Sequence, residues 1–177
     1  MPESLRSAVV VGNPKAGSRT HQAAARLAAE LTGAPPDLTV DLAVFGPRLL
    51  DWADAEIAET VEQIRGVDLL VVASPTYKAT YTGLLKVFLD RFPDNGLDGV
   101  VAVRLMLGAG PGHALAPEAY LRPVLTELGA QIPARALYIL DSAFDDPTVF
   151  EPWLQASRER VLHAAAQPAR AVTVGAP

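Results

Sequence analysis

Residues 67–92, VDLLVVASPTYKATYTGLLKVFLDRF, decide how this chain folds. The run Val67–Ala73 is apolar at all but one position. A strand with one wet face alternates apolar and polar residues; a run without alternation is covered on both faces, as in a parallel sheet flanked by helices. After it come Ser74, Pro75, Thr76, two tyrosines, Lys78 and Gly83, and then the apolar, helix-like segment Gly83–Arg91. The order is strand, loop of polar and aromatic groups, helix.

The same alternation extends in both directions. Short β-rich runs lie at Ala8–Val11, Leu38–Val44, Val67–Ala73, Val100–Leu107 and Ala136–Leu140. Helical patterns lie between and after them, at Thr20–Leu31, Ala53–Ile64, Gly83–Arg91, Ala114–Leu128 and Phe150–Ala166. Ile57, Val61 and Ile64 show the one-sided spacing of an amphipathic helix. Alternating β and α elements predict an α/β fold with right-handed crossovers. Five strands fit the flavodoxin-like three-layer sandwich, a parallel sheet of order 2-1-3-4-5. Residues 1–177 read as a single domain, with Phe45–Trp52 irregular and the tail 168–177 expected to be disordered.

Composition narrows the function. Among 177 residues half are hydrophobic, a fifth are charged and the formal net charge is −5. No cluster of Lys and Arg is present to neutralise a nucleic-acid backbone. With no cysteine, disulfides, thiolate catalysis, iron–sulfur clusters and Cys-based zinc sites are ruled out, and three scattered histidines argue against a metal centre. The N-terminal apolar stretch, Ala8–Val11, is too short for a signal peptide, and no segment approaches the roughly 20 apolar residues of a membrane span. These features predict a cytoplasmic protein that binds neither nucleic acid nor membrane.

In a sheet of order 2-1-3-4-5, ligands bind beyond the carboxyl ends of strands 1 and 3, where the winding reverses. The walls of that crevice are Gly12–Arg19 and Ser74–Thr82. In the first, Ser18, Arg19 and Thr20 stand where a helix begins, and free N–H groups there favour an anion. Lys15 and Arg19 add positive charge and the hydroxyls add donors, a set that suits one phosphate monoester. The alternative is that Ser18 or Thr20 only caps the helix while the basic side chains are solvated. A nucleoside-triphosphate loop is disfavoured because Ser18 and Arg19 occupy the places of its lysine and magnesium-binding hydroxyl. In the second wall, Pro75 stiffens a turn whose backbone, with Tyr77 and Lys78, suits the edge of a flat heterocycle. The alternative there is that Tyr77 and Tyr81 pack internally and Lys78 is a surface residue.

Ser74–Asp90, S-P-T-Y-K-A-T-Y-T-G-L-L-K-V-F-L-D, resembles the signature of the NADPH-dependent FMN reductases, and most of all the branch serving sulfonate two-component monooxygenases. GNPKAGSRT at Gly12–Thr20 is similar to that family's phosphate loop, and Leu107–Gln131 to its later glycine-rich stretch and helix. The resemblance spans about residues 8 to 141 in the family's order. It implies FMN phosphate binding at Asn13, Lys15, Ser18, Arg19 and Thr20. It also implies contact with the ring edge at Pro75, Thr76, Tyr77 and Lys78, and a second ring loop at Gly108, Ala109 and Gly110. Three positions depart from the family pattern: Asn13 for serine, Lys15 for arginine and Ala109 for glycine. Lysine keeps the charge but loses the bidentate geometry of arginine.

The implied reaction is hydride transfer from NADPH or NADH to FMN, which needs no catalytic side chain and no metal. Reduced flavin would pass to a partner monooxygenase. The alternatives are an FMN-containing quinone, azo-dye or chromate reductase and a non-catalytic flavin-binding electron carrier. His113, without an orienting partner, reads as a hydrogen-bonded structural residue rather than an acid. The apolar residues of Gly83–Arg91 exceed what one core-facing stripe needs, which together with the resemblance predicts a homodimer or homotetramer through that helix.

Overall fold

The computed structural model describes residues 5–167. The expected disorder of 168–177 lies outside them. Five strands, β1 (Ser7–Val11), β2 (Leu38–Asp41), β3 (Leu69–Pro75), β4 (Val101–Gly108) and β5 (Leu137–Leu140), form one sheet of order β2-β1-β3-β4-β5. Every neighbouring pair is parallel. The principal helices are α1 (Arg19–Thr32), α2 (Ala55–Arg65), α3 (Gly83–Leu89), α4 (Arg122–Glu127) and α5 (Glu151–Ala165).

The apolar runs pair in register, Val9 with Val71 and Val71 with Val103, so like residues stack across the sheet. Alternate residues then face opposite layers. Val9, Val11, Val71, Ala73 and Val103 pack with α1 and α5, whereas Ala8, Val10, Leu70, Val72 and Ala102 pack with α2, α3 and α4. Both faces are dry, for the reason read from Val67–Ala73. Each fully buried Val or Leu side chain contributes about 1.5–3 kcal/mol to this arrangement. Helix α1 presents Ala23, Ala24 and Ala28 beside Leu27 and Leu31, and these small side chains let it lie close to the sheet.

Some boundaries differ from the sequence expectation, with local causes. β2 stops at Asp41 rather than Val44, because the Asp41 carboxylate accepts a hydrogen bond from the Ala43 N–H and turns the chain into the 3-10 turn Leu42–Val44. The segment 45–52 is not wholly irregular: Gly46–Leu50 is a second 3-10 turn, with Leu49 buried. The helix expected from Ala114 starts at Pro117 with a wide turn, Pro117–Leu121, before α4. Pro123 has no N–H to donate and its ring crowds the carbonyl four residues back, so the ladder widens and the Arg122 N–H reaches Pro117 O.

Arg104 is a buried charge in the middle of β4, 1% exposed. Its guanidinium donates to Glu118 on the wide turn at 2.8 Å and to Ala134 O at 2.5 Å, while Nε has no partner. Burial pushes the Glu118 carboxyl up, but the Ala136 N–H, Arg104 and Arg122 together hold it below the usual carboxylate value. Here the ion pair ties the wide turn to the sheet and to the chain entering β5.

Helix α3 buries Leu85, Phe88 and Leu89, and Phe88 meets Phe92 edge to face at 5.6 Å. Phe88 is fully buried, so it is a core residue of this chain. The surplus apolar surface of α3 reduces to the half-buried Leu84 and Val87.

Candidate functional site

The carboxyl ends of β1 and β3 are joined by hydrogen bonds. The Gly12 N–H donates to Ala73 O at 2.8 Å. The Thr82 hydroxyl donates to Gly12 O at 2.5 Å and accepts from the Leu85 N–H at 3.2 Å, capping α3. Ser74 Oγ accepts from the Thr82 N–H at 3.1 Å and donates to Pro75 O at 2.8 Å. Ser74 and Thr82 are buried, and between them they fix the two walls of the crevice relative to each other. Gly12 leaves no room for a side chain, since a Cβ there would lie 2.5 Å from Leu85 Cβ.

The first wall runs from Gly12 into α1. Asn13 Nδ2 donates to Thr20 Oγ1 at 3.0 Å and Asn13 Oδ1 accepts from the Lys15 N–H at 2.9 Å, so both side chains lie buried behind the loop. Ser18 caps α1, its hydroxyl accepting from the His21 N–H. Lys15 and Arg19 are exposed, and the Arg19 guanidinium lies 5.6 Å from the centre of the Phe144 ring. The loop therefore offers two cations on the solvent side of a helix start, with Asn13 and Thr20 bracing it from within. Asp41 adds a carboxylate at the same loop, accepting from the Gly17 N–H at 2.9 Å and facing His21 Nδ1 at 3.0 Å.

The second wall is a tight turn. The Tyr77 N–H donates to Thr80 O at 2.9 Å and the Thr80 N–H returns a bond to Tyr77 O at 3.2 Å. Lys78 and Ala79 between them have φ of 51° and 69°, a left-handed backbone that side chains other than glycine disfavour. Ala79→Gly is expected to stabilise the fold by about 1 kcal/mol, the cost of one left-handed residue with a Cβ. For a chain of this size that is a rise of ~2–4 °C in Tm. A calorimetric scan checks it, and a lower Tm would show that the turn is unstrained at Ala79.

Tyr77 is half exposed at the tip, and Thr76 lies at the turn's base, its N–H donating to Leu107 O at 2.7 Å. Thr76 Oγ1 is buried without a partner. The third loop, Gly108–Gly110, stands beside it. A Cβ on Gly108 would fall 1.9 Å from the Tyr138 hydroxyl, which donates to Gly110 O at 2.7 Å and so holds the loop from β5. Ala109 is exposed, and the space around Gly110 is open.

The fold thus gathers all three predicted loops at one end of the sheet. Sequence reading missed Ser74 and Thr82 as the staple, Tyr138 as the support of the third loop, and Asp41 with His21 behind Gly17. Thr82 directly before Gly83 carried a detectable cap signal; the others had none. His113 is exposed and makes no side-chain hydrogen bond among the described residues, so the hydrogen-bonded structural role expected of it is not realised. It lines a small hollow with Ala79, Leu115 and Tyr120. No group of metal-ligating side chains occurs among the described residues.

A doubly wound parallel sheet of order 2-1-3-4-5, with polar loops facing each other at its switch point, defines a flavodoxin-like α/β protein. The family model for NADPH-dependent FMN reductase matches residues 5–145, and the chain belongs to that family. Its relatives include the NADH-dependent FMN reductase SfnF of Pseudomonas putida, 34% identical over 89% of each chain. The FMN reductase (NADPH) of Escherichia coli is 34% identical over 80% of this chain and 76% of its own. The crystal structure of an NADH:FMN oxidoreductase (EMOB) in its apo form superposes with a TM-score of 0.80 at 28% identity, covering 94% of this chain and 91% of that one. The chain is accordingly an NAD(P)H:FMN oxidoreductase, with FMN and a reduced nicotinamide nucleotide as its redox pair.

Proposed function

We propose that FMN lies across the crevice with its 5′-phosphate at Lys15, Ser18 and Arg19 and its ring edge along Pro75, Thr76, Tyr77 and Lys78. Gly108, Ala109 and Gly110 flank the ring, while Asn13 and Thr20 shape the phosphate loop. The donor chemistry fits the group: exposed cations at a helix start suit a phosphate, and the buried, unpartnered Thr76 Oγ1 suits a polar edge atom of the heterocycle. Bound FMN supplies the hydride acceptor and the nicotinamide the donor. The protein's residues bind and orient, and none is assigned a proton-transfer role. Lys78 would place a positive charge beside the ring edge, where it would favour the negative charge that reduction brings.

The observation that carries the finer reading is the openness of the site. Lys15, Arg19, Tyr77 and Lys78 all face solvent, which supports an FMN held at the surface of this chain and free to exchange. An exchangeable flavin suits a reductase that delivers reduced FMN to a partner monooxygenase. The resemblance of Ser74–Asp90 to the sulfonate branch supports the same role. A homodimer or homotetramer is proposed through Leu84, Val87 and Tyr81, the partly buried residues along α3 and just before it. Among the described residues no helix is long and apolar enough to cross a membrane.

Steady-state oxidation of NADPH and of NADH, with and without added FMN, tests this reading. A rate that saturates with added FMN is expected. A retained flavin would instead give full rates without added FMN and reduce an azo dye directly. That is the second reading, favoured by the 28% identity to an FMN-dependent NADPH-azoreductase of Staphylococcus haemolyticus.

A further inference from the structure

Asp41 ends β2, yet its side chain is only 9% exposed because it turns back under the Gly12–Thr20 loop. One carboxylate oxygen accepts from the Gly17 N–H at 2.9 Å and lies 3.0 Å from His21 Nδ1; the other accepts from the Ala43 N–H at 3.3 Å. Gly17 has φ of 60°, and its N–H donates to this carboxylate in an exposed bond. The next residue, Ser18, caps α1, and His21 stands in the first turn of the same helix. A formal negative charge therefore sits immediately behind the loop that carries Lys15 and Arg19, and it takes up a backbone donor that an anion would otherwise use.

We propose that Asp41, oriented by His21, is a positioning residue that shapes the phosphate loop and lowers its affinity for a phosphate dianion, so that FMN exchanges. The inference rests on the placement of the FMN phosphate at Lys15, Ser18 and Arg19. Two effects of the carboxylate act on the phosphate and neither acts on the ring. Its charge opposes a second anion across a few bonds of backbone, and the carboxylate itself is little exposed although the phosphate side of the loop is open to solvent. Its bond to Gly17 withholds one N–H from the ligand while keeping the turn formed. His21 offsets part of the charge through its hydrogen bond and anchors the carboxylate to α1.

Replacing Asp41 by asparagine separates the two effects. With the amide oxygen on the Gly17 N–H the charge is removed, while the amide NH2 then faces the Ala43 N–H donor to donor, so the cap of the turn Leu42–Val44 is lost. Dissociation constants for FMN and riboflavin are measured by flavin fluorescence on the full chain, for wild type, Asp41→Asn, His21→Ala and Arg19→Ala. Asp41→Asn is expected to tighten FMN about tenfold, the effect of one charged neighbour on an ionic group, and to leave riboflavin unmoved. His21→Ala is expected to weaken FMN and again leave riboflavin unmoved, since it frees the carboxylate without neutralising it. Unchanged or weaker FMN binding in Asp41→Asn overturns the proposal if Arg19→Ala still discriminates FMN from riboflavin. If Arg19→Ala does not discriminate, the phosphate placement itself fails and this inference falls with it. Should Asp41→Asn not fold by circular dichroism, His21→Ala decides, and unaltered FMN binding in that variant sinks the idea.

Discussion

Arg19→Ala is expected to weaken FMN binding about 10–100-fold, the loss of a charge-assisted hydrogen bond of roughly 1.5–3 kcal/mol, while riboflavin binding stays nearly unchanged. Arg19 is the first residue of α1 and is exposed, so its removal opens no cavity in the core. Its guanidinium rests over the Phe144 ring, which limits the rotamers it must give up on meeting a phosphate. Because the two ligands share the ring system and differ only in the phosphate, their ratio isolates the contact. Arg19→Lys should recover part of the loss, since lysine restores charge without the planar fork. Fluorescence titration with both flavins checks this. Equal losses for the two would remove Arg19 from the phosphate site.

The second large effect is expected from Gly12→Ala. Its new Cβ would lie 2.5 Å from Leu85 Cβ and 3.3 Å from Leu85 Cα, so a flexible side-chain end cannot absorb the overlap. Either α3 or the end of β1 must move, and with it the bonds from Gly12 to Ala73 and Thr82. Overpacking of this kind costs about 1–3 kcal/mol, and stretching a buried hydrogen bond adds to it. Denaturant unfolding should show a lower midpoint at unchanged slope, and FMN and riboflavin should weaken together because the walls separate. Selective loss of FMN alone, with normal stability, would contradict this account.

The layers of the fold were legible because burial leaves a local record. Val67–Ala73 lacked polar alternation since both faces of β3 are covered, and Ile57, Val61 and Ile64 recurred on one side since α2 has one dry face. Strand ends were less legible. At Leu38–Val44 the apolar pattern continues, yet an aspartate inside it captures a nearby N–H and ends the strand. At Ala114–Leu128 the proline within the helix widened a turn that periodicity alone extends regularly. In α3 an apolar count suggested free surface, but Phe88 is taken into the core by Phe92 and the sheet.

By itself, then, the sequence determined the α/β class and the cations of the first loop, from periodicity and residue chemistry. The strand order, and with it the pairing of the two loops as walls of the crevice, came from matching five alternating strands to a known doubly wound order. Only the tertiary structure decided how those walls are held. Thr82 closes on Gly12 across 70 residues, Tyr138 on Gly110 across 28, and Asp41 on Gly17 across 24. It also set two non-glycine residues, Lys78 and Ala79, in a left-handed turn at the tip of the second wall. Local patterns record which face of an element is dry. A hydrogen bond between loops depends on which strands lie side by side and how the chain leaves them, and that is settled only when the sheet is assembled.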